Sequence, residues 1–108
     1  MMVNLTPHAI RIFGADGTTE IAVLPPSGAV ARVSVTREKR GEVAGVPVFA
    51  STFGQVVGLP EFAAGTALVV SAMVRLAAPG RADLFSPGEL VRGEDGQPKG
   101  CKGLEGNL

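Results

Sequence analysis

Thr66–Asp83 reads Thr-Ala-Leu-Val-Val-Ser-Ala-Met-Val-Arg-Leu-Ala-Ala-Pro-Gly-Arg-Ala-Asp, and within it the hydrophobic period changes. Ala67–Val70 is an unbroken apolar run bounded by polar residues, the signature of a buried strand. From Ala72 the period becomes helical. Ser71 stands at the junction, where a hydroxyl can cap the first turn, and Pro79-Gly80 ends the segment. One short helix over 72–78 is therefore expected, in a chain whose other segments read as strands and turns.

Upstream, Ile10 and Ile12 flank Arg11 in Ala9–Phe13, and Ile21 and Val23 share a face in Thr18–Leu24. Gly14-Ala15-Asp16-Gly17 between them carries the Asp-Gly pair of a tight turn, so these segments form a hairpin. Ala31, Val33 and Val35 alternate with Arg32, Ser34 and Thr36, a strand wet on one side. Arg37–Glu42 is dense in charge of both signs and reads as a solvated loop. Val46–Thr52 follows as a strand placed on an edge by Pro47, with Gly54 permitting a bulge. Downstream, residues 84–108 alternate turn residues with brief apolar pairs, and the C-terminal few residues are expected to be mobile.

Fifteen Gly and eight Pro in 108 residues favour short elements. The expected fold is a single mainly β domain over residues 1–108, a small barrel or sandwich of short antiparallel strands with one short helix. Val33, Val35, Val48, Val57, Leu68, Val70 and Leu76 are its expected core. A domain this small buries only about two-thirds of its unfolded surface, and open strand edges invite pairing; a homo-oligomer is expected.

Ten basic and ten acidic residues give a formal charge of zero, which disfavours nucleic acid as a partner, since phosphate neutralisation needs excess base. The longest strongly apolar run, Ala67–Val74, is too short to span a bilayer, so no membrane association is expected. Cys101 is the only cysteine and has no internal disulfide partner; with no signal-like N-terminal segment, it points to the cytoplasm.

Catalytic and cofactor signatures are missing. Gly93–Gly100 contains glycines and Lys99 but not the spacing of a phosphate loop, and neither G-x-G-x-x-G nor G-x-S-x-G occurs. No cofactor is implied. His8 is the only histidine, which leaves no metal site beyond a weak oxygen pair of Asp83 and Glu89. His8 has the titration range of a general base, and Asp83 with Ser51 or Ser71 completes a nominal triad. Its alternative role is to order the strand opening through a backbone bond. Cys101 is either a thiol activated by nearby cations or a small hydrophobe.

The Ser71 junction has the firmer physical basis. The first turn of a helix exposes unpaired N–H groups that can hold an anion. Arg75 lies one turn on and Arg81 follows the stop, each with a fork that matches phosphate oxygens. Ser51 and Thr52, at the end of another strand, add hydroxyls to the same expected rim, with His8 beside it. On the structural alternative, Ser71 only caps, Arg75 snorkels and Arg81 pairs with Asp83.

Asn4-Leu5-Thr6-Pro7-His8, the Val48–Pro60 segment with Ser51-Thr52 and Gly58-Leu59-Pro60, and the block from Val69-Val70-Ser71 to Arg81-Ala82-Asp83 together resemble a group of small proteins associated with phages, prophages and their bacterial hosts. The likeness covers most of the chain. No activity is established for that group, so it assigns no site residue; it implies a small intracellular accessory protein of viral origin. Phage proteins that sequester nucleotide signals of host immunity offer an analogy. The leading expectation is a non-enzymatic protein that binds a small anionic, nucleotide-like ligand at Ser71, Arg75 and Arg81, in a site shared between subunits. The alternatives are a protein–protein module that docks on a host or phage partner, and a small hydrolase using His8 and Asp83.

Overall fold

The computed structural model describes residues 1–107. The alternation around Arg11 produces β2 (Ile10–Phe13), and the Asp16 turn returns the chain as β3 (Glu20–Leu24), antiparallel to it. Before them lies β1 (Met2–Asn4). The apolar run becomes β6 (Ala67–Val69), paired in parallel with β1 on one side and with β7 (Leu84–Arg92) on the other. Leu68 packs into one core cluster and Val69 into another. A strand buried on both faces needs apolar residues at every position, which accounts for the run.

The sheet is completed by β8 (Pro98–Gly106), antiparallel to β7 and parallel to β2, giving the order β1-β6-β7-β8-β2-β3. It curls until its first and last strands approach one another. There the Asn4 side chain, at the end of β1, donates to the Leu24 carbonyl at the end of β3 over 2.9 Å. The result is a near-closed barrel with one helix, α1 (Ala72–Ala77), against its side. The expected mainly β fold with a single short helix is the fold observed. Three of its pairings are parallel, however, and not all of its strands are short.

Leu5, Ala31, Leu68, Val70, Val74 and Leu84 form the larger cluster; Ile10, Ile12, Val69 and Cys101 form the second. Leu68 and Val70 are buried as expected, and Val33 and Val35 are half-buried. Val48, Val57 and Leu76 are not core residues: they are 41%, 65% and 56% exposed. For the two valines the reason lies in β4 (Arg32–Val43) and β5 (Val46–Val57), which pair only with each other. Val33 and Val56 rest on the larger cluster. Val57, beside Val56 and opposite Arg32, alternates to the outer face at that base, and the distal part, with Val48, extends as an arm with solvent on both faces. Leu76 lies on the outer side of α1, whose buried residue is Val74.

The arm corrects the reading of Arg37–Glu42 as a loop. These residues continue β4, with Arg37 opposite Ser51 and Lys39 opposite Phe49. A two-residue turn joins the strands, with Ala44 and Gly45 both at positive φ (51° and 81°), the geometry that matches strand twist in a hairpin. One register shift falls where Gly54 lies against Ser34, as its glycine suggested; a second falls at Arg40. The tail is likewise a long hairpin rather than a series of turns, closed by residues 93–97. Of the C-terminal residues expected to be mobile, Glu105 and Gly106 pair within β8 and Asn107 is hydrogen-bonded; Leu108 lies outside the described residues.

Candidate functional site

The junction at Ser71 forms as its sequence implies. Ser71 has extended backbone, its Oγ accepts from the Val74 N–H at 3.2 Å, and α1 begins at the next residue. The helix has six residues, so its dipole is small. Ser71 acts as a cap.

Arg75 does not snorkel. Its side chain turns inward and is only 12% exposed. Nε donates to Ser86 Oγ at 2.8 Å, Nη1 to Asn107 Oδ1 at 3.2 Å, and Nη2 to Glu105 at 3.3 Å. It fastens α1 to β7 and the end of β8. Asn107 reinforces this: its Nδ2 donates to the carbonyls of Arg75, Ala78 and Arg81 over 3.0–3.2 Å. Each of these carbonyls also accepts a backbone N–H, from Ala78, Arg81 and Leu84 respectively, so Asn107 adds a second donor to the turns that follow the helix from more than twenty residues away in sequence.

Arg81 grips Asp83 with both prongs of its fork, Nε to Oδ1 at 2.9 Å and Nη2 to Oδ2 at 2.8 Å, and Nη2 also donates to the Pro60 carbonyl at 2.9 Å. The hydrogen bond from Arg81 holds the Asp83 carboxyl below its usual range, against the opposing effect of burial. The Asp83 side chain is 3% exposed and that of Arg81 27%. Because the folded-state pKa is lowered, the contribution to stability is complete above the unfolded value near 3.8 and is lost as the pH falls through the folded one. Asp83→Asn should lower stability at pH 7 by about 2 kcal/mol, with the gap to the parent narrower at pH 2.5, below the unfolded value. Urea titrations at the two pH values check this; a gap independent of pH would exclude the ion pair as its source.

The remaining expected residues do not gather here. Ser51 and Thr52 lie along the arm, opposite Arg37 and Thr36, and are exposed. His8 is exposed in the turn after β1. Its carbonyl accepts from Asn4 Nδ2 at 2.8 Å and Thr6 Oγ1 at 3.0 Å, which is the backbone-ordering role. Asp83, the other half of the nominal hydrolase pair, is occupied by Arg81. Glu89 pairs with Lys102 at 3.5 Å, and among the described residues no three His, Cys, Asp or Glu side chains gather to hold a metal ion. Cys101 is buried with Ile10, Ile12 and Val69, its Sγ 3.7 Å from the Arg11 carbonyl; it packs as a small hydrophobe.

Two surface features lie outside these expectations. One is an open groove of about 450 Å³ with Ile10, Val23, Leu90 and Cys101 along its apolar part. The other is the arm, where Val43, Val46, Val48, Phe49 and Phe53 are 41–66% exposed. The sequence carried a signal for the arm: Phe49 and Phe53 sit four residues apart in a segment opposite a run too charged for a core. Among the described residues no helix is long and apolar enough to cross a membrane. No family model, no curated protein and no solved structure matches the chain.

Proposed function

We propose that this chain is a protein–protein interaction module whose β4–β5 arm engages the partner. The observation that carries this reading is that a ribbon pairing with no other strand carries half-exposed apolar side chains on both faces, Phe49 and Phe53 on one and Val43, Val46 and Val48 on the other. Large apolar side chains contiguous on an exposed element mark a surface that another protein covers. The lone, buried Cys101 keeps a reducing, cytoplasmic setting as part of the reading. The small-anion alternative has less support: both arginines already donate to the protein's own acceptors, and Ser51 and Thr52 lie on the arm rather than beside them.

A photo-crosslinking amino acid placed in turn at Phe49, Phe53 and Ile21 tests the reading in producing cells. Ile21 is 67% exposed on the barrel and serves as the reference. Discrete protein adducts are expected from the two arm positions and not from position 21. Equal or absent labelling at all three positions would overturn the proposal.

A further inference from the structure

One face of the arm is continuous with the interior of the barrel. With the register shifts included, Val33, Val35, Arg37 and Lys39 of β4 share a face with Val56, Phe53, Ser51 and Phe49 of β5. At the base of this face Val33 and Val56 pack on the larger core cluster. Further out, Val35 is half-buried and stands opposite Phe53, which is 43% exposed. Beyond them Phe49 is 46% exposed, with the Arg37 guanidinium 4.8 Å above its ring. The apolar stripe therefore runs out of the core and ends without cover.

The amount of surface indicates what covers it. The chain exposes 6999 Å², whereas a compact monomer of its mass exposes about 5,600 Å². The radius of gyration, 16.3 Å, compares with about 13 Å for a compact chain of this length. The excess is roughly 1,400 Å² per chain. The arm has two faces, so covering one hides about half of it, and on two chains together that is about 1,400 Å², within the range of stable specific interfaces. The paired face carries Arg37 and Lys39. Lys39 bridges Glu42 at 3.0 Å and the Arg37 guanidinium lies over the Phe49 ring, so the positive charge that two such faces bring together is partly offset within each ribbon.

We infer that a second copy of this chain covers the arm, the two ribbons laying their Phe49–Phe53 faces together about a two-fold axis. A face that meets itself in this way is the commonest closed arrangement of identical subunits. The inference rests on the interaction reading above and adds the identity of the partner.

Analytical ultracentrifugation of the full chain from 0.1 to 100 µM is expected to give a species of twice the 11.0 kDa chain mass. Phe49→Ser/Phe53→Ser should weaken self-association by about 100-fold or more, with an unchanged far-UV spectrum. A second measurement does not depend on a destabilising variant. Ser51 lies on the paired face between the two phenylalanines and Thr52 on the opposite one. Mild oxidation should therefore link Ser51→Cys chains into disulfide dimers and leave Thr52→Cys chains unlinked. A parent that stays at the single-chain mass throughout, or equal linking at 51 and 52, would overturn the inference. If crosslinkers on the arm then gave adducts only with a different protein, the interaction reading would stand and the self-pairing would fall.

Discussion

Asn4→Asp should destabilise the protein by about 4 kcal/mol at pH 7, although it exchanges one nitrogen for one oxygen. Asn4 is 2% exposed, and its surroundings define both ends of its amide. Nδ2 donates to the carbonyls of His8 at 2.8 Å and Leu24 at 2.9 Å; Oδ1 accepts from the Thr6 N–H at 2.9 Å and from Thr6 Oγ1 at 2.6 Å. An aspartate keeps the second pair and sets an anionic oxygen against the two carbonyls. That environment disfavours the charged form, so the variant's carboxyl pKa rises on folding. The penalty should accordingly grow as the pH climbs past the unfolded value of about 4 and shrink in acid, where a protonated carboxyl can donate to one carbonyl. Asn4→Ala, which loses both pairs without adding charge, should cost about 2–3 kcal/mol at either pH. Urea midpoints at pH 3.5 and 7 separate the two variants; an aspartate tolerated within about 1 kcal/mol would show that Asn4 does not hold the barrel closed.

Gly100→Val should be at least as damaging, through close packing rather than charge. A Cβ at Gly100 would lie 2.5 Å from the Arg11 carbonyl oxygen and 2.7 Å from the Phe13 ring. Neither neighbour can yield easily: the first is backbone of β2, and Phe13 is 2% exposed. The join between β2 and β8 consists of the registers Ile12 to Cys101 and Phe13 to Lys102, so even a small separation breaks it. Alanine should cost about 3 kcal/mol and valine more. Hydrogen exchange should show β2 and β3 losing protection before β7. Gly80, with open space around its Cβ position and no positive φ, is the control, and Gly80→Ala should change stability by less than about 0.5 kcal/mol. A Gly100→Ala protein as stable as that control would contradict the packing described.

Local signals marked the elements whose form is decided locally. The alternation around Arg11 and the Asp16-Gly17 turn located the first hairpin, and Ser71 with Pro79-Gly80 bounded the helix. Residues 84–106 were not legible as two long strands, because Gly88, Gly100 and Gly103 interrupt the apolar alternation. At Gly88 and Gly100 the absence of a side chain admits backbone from the neighbouring strand, a requirement visible only once that strand is in place. The arm misled for the opposite reason. Beyond its base the ribbon packs on no other element of its own chain, so nothing within the chain imposes a strict pattern on it and its charged half reads as loop. At the candidate site, Ser71 as a cap and Arg81 paired with Asp83 were among the stated alternatives. Arg75 could not be placed, since its partners Ser86, Glu105 and Asn107 come from distant sequence.

The parallel pairings also have a kinetic consequence. Met2 joins Ala67, and Ile12 joins Cys101, so the barrel is built from contacts between chain segments made at very different times during synthesis. Such contacts form slowly, because a long loop must be ordered before any of them is secured. The β4–β5 ribbon joins neighbours across a two-residue turn and has no such delay. During translation both strands of the arm are made before β6, β7 and β8, so its local pairing can begin early, while the core on which Val33 and Val56 rest is completed only when the later strands arrive.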